Sequence, residues 1–332
     1  MYATAEGTGR YAGRFPQYRD NAFYRNVLGL NLSSLGIGTY LGPADNAADA
    51  AYTDALLAAA ENGINVFDTA INYRNQHSER CVGAALKQLR RDEMVVCTKA
   101  GFLTRGATPA GLAADEVAGG IHSMAPAFLA DQVERSLANL GVETIDIFYL
   151  HNPETQLGFV NGSEFDARIA RAFALLEDLA ARRKIRWYGA ATWDGFRKKG
   201  ALSLPRMVEI ARETAGPDHH FRFIQLPFNL AMVEAFLDRP RSLLESAAQL
   251  DVAVVASATL LQTRVLDQIP DTVAGLLPGL ETPAQRAIQF TRSTPGIAVA
   301  LTGMGHREHV LENLGVARVT PAPREQYLRI YQ

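Results

Sequence analysis

Between residues 34 and 316 the chain switches eight times from a short apolar, β-branched run to a longer stretch with helical spacing. The strand-like runs are 34–39, 64–68, 94–99, 144–151, 185–190, 221–226, 252–256 and 296–302. The helical stretches are 47–62, 78–91, 126–140, 165–183, 204–214, 243–250, 283–294 and 308–314. Eight βα units in 332 residues fit a closed (β/α)8 TIM barrel, an α/β fold that typically takes about 250 residues before insertions, better than an open sheet. No long Pro- or Ser-rich linker interrupts the rhythm, so a single domain is expected. Residues 1–33 read as an N-terminal extension with a short hairpin near 24–32 that covers the barrel bottom, 34–316 as the barrel, and 317–332 as a C-terminal tail.

The composition supports a buried core and excludes several partners. With 48% hydrophobic and 20% charged residues the chain is not of the disordered class. Its net charge of −2, with no run of Lys or Arg, offers no footprint for nucleic acid or an anionic membrane. No apolar stretch approaches the roughly 20 residues of a spanning helix. The first 25 residues are polar and lack the apolar segment of a secretory signal. Two cysteines, Cys81 and Cys97, make no disulfide framework, so a cytoplasmic location is expected.

Loops on the C-terminal face of such a barrel carry its active site. The long ones, 101–125, 152–164 and 262–282, are therefore expected to wall a substrate pocket, with Phe102, Phe159, Trp193 and Phe228 as apolar surfaces. Ionisable residues at strand ends are the catalytic candidates: Asp68, Lys99 and His151 each close an apolar run, and Tyr73 follows in the loop after Asp68. Each alone has a plainer reading, the Asp as a turn or helix cap and the His as a satisfied polar group. Lys99 is harder to set aside, because the chain holds only five lysines (Lys87, Lys99, Lys184, Lys198 and Lys199) and otherwise uses Arg. An ammonium after Val95-Val96-Cys97 is costly without a partner, and Asp68, one strand away, can supply one.

The order and spacing of Phe67-Asp68-Thr69-Ala70-x-x-Tyr73, His77-Ser78-Glu79-Arg80-x-x-Gly83, Thr98-Lys99 and Ile145-Asp146-x-x-x-Leu150-His151-Asn152-Pro153 resemble the aldo-keto reductase family over roughly residues 30–315. The resemblance implies a (β/α)8 barrel binding an extended NADPH, with Asp68, Tyr73, Lys99 and His151 as a catalytic tetrad. Carbonyl reduction needs a hydride from the cofactor and a proton on the oxygen. A free tyrosine titrates near pH 10, so Lys99 is expected to lower the Tyr73 pKa, Asp68 to hold the ammonium, and His151 to donate to the carbonyl oxygen.

On the cofactor side the resemblance implies Gly38, Thr39 and Tyr40 at the end of the first strand, Asp68, and Gln225 as a carboxamide ligand. It departs from the family where Gly189-Ala190-Ala191-Thr192 leaves Thr192 as the only side-chain hydrogen bonder, and where Ser257 takes the place of a stacking aromatic ring. Leu260 and Gln262 follow in the same loop. After the eighth run, Gly303, Met304, Gly305, Arg307, His309, Glu312 and Asn313 fall at the adenosine end. Gly303 and His309 replace the family's frequent Lys and Arg, leaving Arg307 and a helix start as anion ligands. NADP(H) is favoured over NAD(H), with weakened preference.

Two other patterns lead elsewhere. Gly36-x-Gly38-x-x-x-Gly42 is one residue too long for a dinucleotide-binding Rossmann loop. His219-His220 has no third ligand for a metal. The expected function is NAD(P)(H)-dependent interconversion of a small aldehyde, ketone or sugar carbonyl with its alcohol. The alternative is a cofactor-binding redox-sensing subunit with little turnover; a metal-dependent hydrolase lacks a clustered ligand motif.

Overall fold

A computed structural model describes residues 1–198 and 201–331; Lys199, Gly200 and Gln332, the last residue of the expected tail, lie outside the described residues. Eight parallel strands close into a barrel: β1 (Leu35–Gly38), β2 (Val66–Asp68), β3 (Val95–Ala100), β4 (Ile145–His151), β5 (Ile185–Ala191), β6 (Phe221–Pro227), β7 (Ala253–Ser257) and β8 (Ile297–Gly303). β8 returns to β1 through Thr302↔Ile37 and Gly303↔Gly38. The alternation in the sequence therefore folds as the (β/α)8 barrel it predicts. Eight principal helices follow the strands: α1 (Asn46–Glu61), α2 (His77–Leu86), α3 (Pro126–Leu140), α4 (Gly162–Ala181), α5 (Leu204–Ala215), α6 (Leu243–Gln249), α7 (Pro283–Ser293) and α8 (Arg307–Asn313). No described helix is long and apolar enough to cross a membrane.

Period-two side chains divide the core in two. Val66, Val95, Cys97, Ile147, Tyr149, Phe223, Val255 and Val299 fill the barrel interior, whereas Ile37, Phe67, Val96, Phe148, Ile224 and Val254 face the helices. Helix starts follow local chemistry: Asp45 caps α1, Asn161 caps α4, and Thr282 with Gln285 forms a reciprocal capping box at α7. The stretch 78–91 is shorter than its pattern predicts, since the helix stops at Leu86 and a separate turn, Arg91–Glu93, leads into β3.

The N-terminal residues lie across the barrel's N-terminal end. Strands Tyr24–Val27 and Leu30–Ser33 form an antiparallel hairpin. Leu30, Leu32 and Ala3 are buried against the interior layer of the barrel. Asn65, just before β2, ties the hairpin down by accepting from Ser33 N (2.8 Å) and donating to Asn31 O (2.9 Å). Arg25 donates to the carbonyl of Ile297 at the start of β8. An N-terminal helix, Ala5–Gly13, absent from the sequence expectation, packs outside this hairpin.

Candidate active site

Strand register sets the site. Gly38 pairs with Asp68, Asp68 with Cys97, Lys99 with Tyr149, His151 with Ala191, and Ala191 with Gln225, so the strand ends converge on the C-terminal face. Lys99 is fully buried and donates from Nζ to Asp68 Oδ2 (2.6 Å) and to the Thr69 carbonyl (2.7 Å). Gln225 Nε2 donates to the other carboxylate oxygen, Asp68 Oδ1, at 2.7 Å. Gln225, expected to serve a carboxamide, thus binds Asp68 here. The ammonium lies 4.9 Å from the Tyr73 ring centroid, and that ring meets Tyr40 edge-on at 4.9 Å and His151 at 5.7 Å. The strand ends therefore bring Asp68, Tyr73, Lys99 and His151 together.

Tyr73 is held by a turn of unusual backbone. Arg74, Asn75 and Gln76 all have positive φ (48°, 53° and 73°), a conformation that side chains oppose unless tertiary contacts impose it. The Arg74 side chain imposes it, being buried and donating to Asp49 Oδ1 (2.5 Å) and the Pro43 carbonyl (2.8 Å).

The electrostatics differ from expectation in one respect. Burial opposes the Lys99 charge, but Asp68 and Tyr73 outweigh it and raise the Lys99 pKa. For Tyr73 the balance tips the other way: burial raises the hydroxyl pKa above its ordinary value, and Lys99 offsets only part of that rise. His151 is held well below its usual range by burial and by Lys99, so it is neutral at pH 7.

Asp68, Tyr73 and His151 line a cavity of about 810 Å³, with Lys99 buried behind Asp68. Of the expected cofactor residues, Gly38, Thr39, Tyr40, Asp68, Thr192, Gln225, Ser257, Leu260, Gln262 and Gly303 line it. Met304, Gly305, Arg307, His309, Glu312 and Asn313 do not. Met304 is buried, Gly305 backs onto Tyr52, and Asn313 is buried with its Oδ1 unpartnered. Glu312 gives its carbonyl to Gln285, and His309 packs its ring against His306. Arg307 faces Asp54 and Glu61 of α1, each at 3.4 Å, instead of the cavity. Phe102 and Trp193 wall the cavity, but Phe159 stands in solvent and Phe228 is buried against Phe290. Only Phe102 of the loop 101–125 reaches it. Leu41, Asn72, Thr259 and Thr302 are among the lining residues that the sequence reading does not single out.

Part of the lining is polar and unsatisfied. Thr192, Thr259 and Thr302 present buried hydroxyls with no partner among the described residues, a state that favours a polar ligand. A Cβ placed on Gly303 would meet nothing within 4 Å.

The fold thus brings together a closed barrel, a cavity lined by Asp68, Tyr73 and His151, and Lys99 buried behind Asp68. The family model described as the aldo/keto reductase family matches residues 34–270, and the chain belongs to that family. It is 34% identical over 171 residues to an NADH-specific methylglyoxal reductase of Escherichia coli (strain K12), a match that spans half of each chain. It is 25% identical over 316 residues, 86% of this chain and 85% of the other, to a Schizosaccharomyces pombe (strain 972 / ATCC 24843) protein provisionally named voltage-gated potassium channel subunit beta. The fold matches an aldo/keto reductase from Klebsiella pneumoniae in complex with NADP and acetate, with a TM-score of 0.68 and 23% identity over 93% of this chain and 95% of that one.

Proposed function

We propose that the protein is an NAD(P)(H)-dependent oxidoreductase that interconverts a small aldehyde, ketone or sugar carbonyl with its alcohol, with Tyr73 as proton donor and acceptor. The observation that carries this reading is that Asp68, Tyr73 and His151 face one cavity while Lys99, buried behind them, is paired with Asp68 and lies beside the Tyr73 ring. When bound, the dinucleotide supplies or accepts the hydride. Gly38, Thr192, Gln225, Ser257, Thr259 and Gly303 would hold it. Tyr73, protonated at neutral pH, gives its hydroxyl proton to the carbonyl oxygen as negative charge develops there. Lys99 steadies the phenolate that remains, and Asp68 keeps the ammonium in place. His151, neutral, orients the same oxygen through a hydrogen bond. NADP(H) is the favoured cofactor, since the Klebsiella protein holds NADP, although the E. coli relative is NADH-specific.

The S. pombe relative, which the chain matches over most of its length, favours a second reading, a cofactor-binding subunit with little turnover. Single-turnover hydride transfer with a panel of carbonyls separates the two. The catalytic reading expects rapid oxidation of the reduced cofactor, and Tyr73→Phe to lower kcat by about 10²- to 10⁴-fold with cofactor affinity nearly intact. Wild-type turnover in Tyr73→Phe, or none in the wild type, overturns it.

A further inference from the structure

We infer that His122 is a positioning residue for His151, acting through the last carbonyl of β4 in an orientation fixed by Gln156 and Arg168. The inference rests on reading His151 as part of the reactive site.

His122 does not line the cavity, so it touches no reactant. It is fully buried, and its Nε2 lies 2.8 Å from the His151 carbonyl oxygen. β3 and β4 pair only as far as Ala100↔Leu150. One residue later, an imidazole from the long loop after β3 holds the end of β4.

The direction of this bond follows from the groups behind it. Arg168 on α4 has donors only, so the atom it meets at 2.6 Å from a terminal guanidinium nitrogen must be Gln156 Oε1. The amide nitrogen of Gln156 then faces His122 Nδ1 at 2.8 Å, which makes Nδ1 the acceptor. The imidazole proton is left on Nε2 and is donated to His151. Arg168 is itself held by the Asp115 carbonyl (2.7 Å) and Glu164 (2.9 Å). Burial keeps His122 neutral, its pKa pushed down to about 4.

Two neighbours show how closely the contact is built. A Cβ on Gly101 would lie 2.4 Å from the His151 oxygen and 2.6 Å from His122 Nε2, so only glycine leaves room for the bond. Phe102 meets both imidazoles edge-on, at 5.2 Å from each centroid and nearly perpendicular. It thereby links the buried ring to the one in the cavity. Immediately after His151, Asn152 adopts a positive φ of 51°, so the backbone that carries the imidazole depends on tertiary contacts for its shape.

The test uses three variants of the full chain. His122→Leu removes the donor. Gly101→Ala puts a methyl group between donor and acceptor while keeping every side chain of the network. His122→Gln returns an amide donor to the place of Nε2. A displacement of about an ångström at a reacting group can cost roughly a hundredfold. The expected result is a ten- to hundredfold fall in kcat for His122→Leu and Gly101→Ala, with the Kd for reduced dinucleotide unchanged, and substantial recovery in His122→Gln. ¹⁵N NMR of the histidine rings should show His122 as the Nε2–H tautomer in the wild type, and the His151 ring signals should move in Gly101→Ala. Unchanged kcat in folded Gly101→Ala, or His151 signals that overlay the wild type, overturns the inference. Should the wild type turn over no carbonyl, the functional reading fails while the NMR comparison still decides the coupling.

Discussion

Lys99 carries the electrostatic balance of the site. Burial raises the Tyr73 pKa and the ammonium lowers it, so Lys99→Met leaves burial unopposed and moves that pKa further up. Alcohol oxidation, which needs Tyr73 to accept a proton, should then require higher pH than in the wild type. Reduction should be slower but should persist to higher pH. Pre-steady-state pH profiles in both directions check this, and profiles that overlay the wild type would refute the coupling. Asp68, Lys99 and His151 are legible in the sequence because each interrupts an apolar run with a charge or imidazole whose burial demands a reason. Thr259, Thr302 and Asn72 are not, because an uncharged side chain at or beyond a strand end looks like any strand or turn residue until the barrel closes around it.

At the scale of an element, the loop after β5 is fastened by a carboxylate from its neighbour. Glu154 Oε1 accepts from the backbone N–H groups of Trp193 (2.8 Å), Asp194 (3.1 Å) and Gly195 (3.1 Å). Hydrogen bonds to a charged group contribute about 1.5–3 kcal/mol each, so Glu154→Ala should release the loop and with it Trp193 at the cavity wall. The expected outcome is a several-fold rise in KM with kcat within about twofold, read from steady-state kinetics. The N-terminal helix shows why some elements escape sequence reading. Gly7, Gly9 and Gly13 lower its intrinsic propensity, but a Cβ on Gly7 would fall 2.1 Å from the Asp92 carbonyl oxygen. The glycine that weakens the helix is what lets it dock, with Arg10 on Asp92 (2.6 Å) and Tyr11 Oη donating to the Ala60 carbonyl (2.6 Å).

Over the whole molecule, contacts between distant parts of the chain decide what the sequence leaves open. Arg307 reads as an anion ligand at the start of α8, but the closed barrel brings α1 beside it and gives the guanidinium two carboxylates, Asp54 and Glu61. Gly303 supplies no cation, so discrimination between NADPH and NADH should be about ten- to a hundredfold weaker than in relatives that keep both cationic positions. Fluorescence titration with each cofactor measures it, and Arg307→Ala should leave the ratio of the two Kd values unchanged. Strong NADPH selectivity lost on that substitution would return Arg307 to the phosphate.

The hairpin across the barrel's N-terminal end has a kinetic meaning as well as a structural one. With Leu30 and Leu32 buried against the interior layer at that end, a dinucleotide and a substrate held in the cavity would both have to enter and leave at the C-terminal face. Under the proposed function, whichever sat nearer the mouth would trap the other behind it and impose a queue on entry and departure. Product-inhibition patterns should therefore reveal a compulsory order of release; release in random order would mean that the chamber has a second exit.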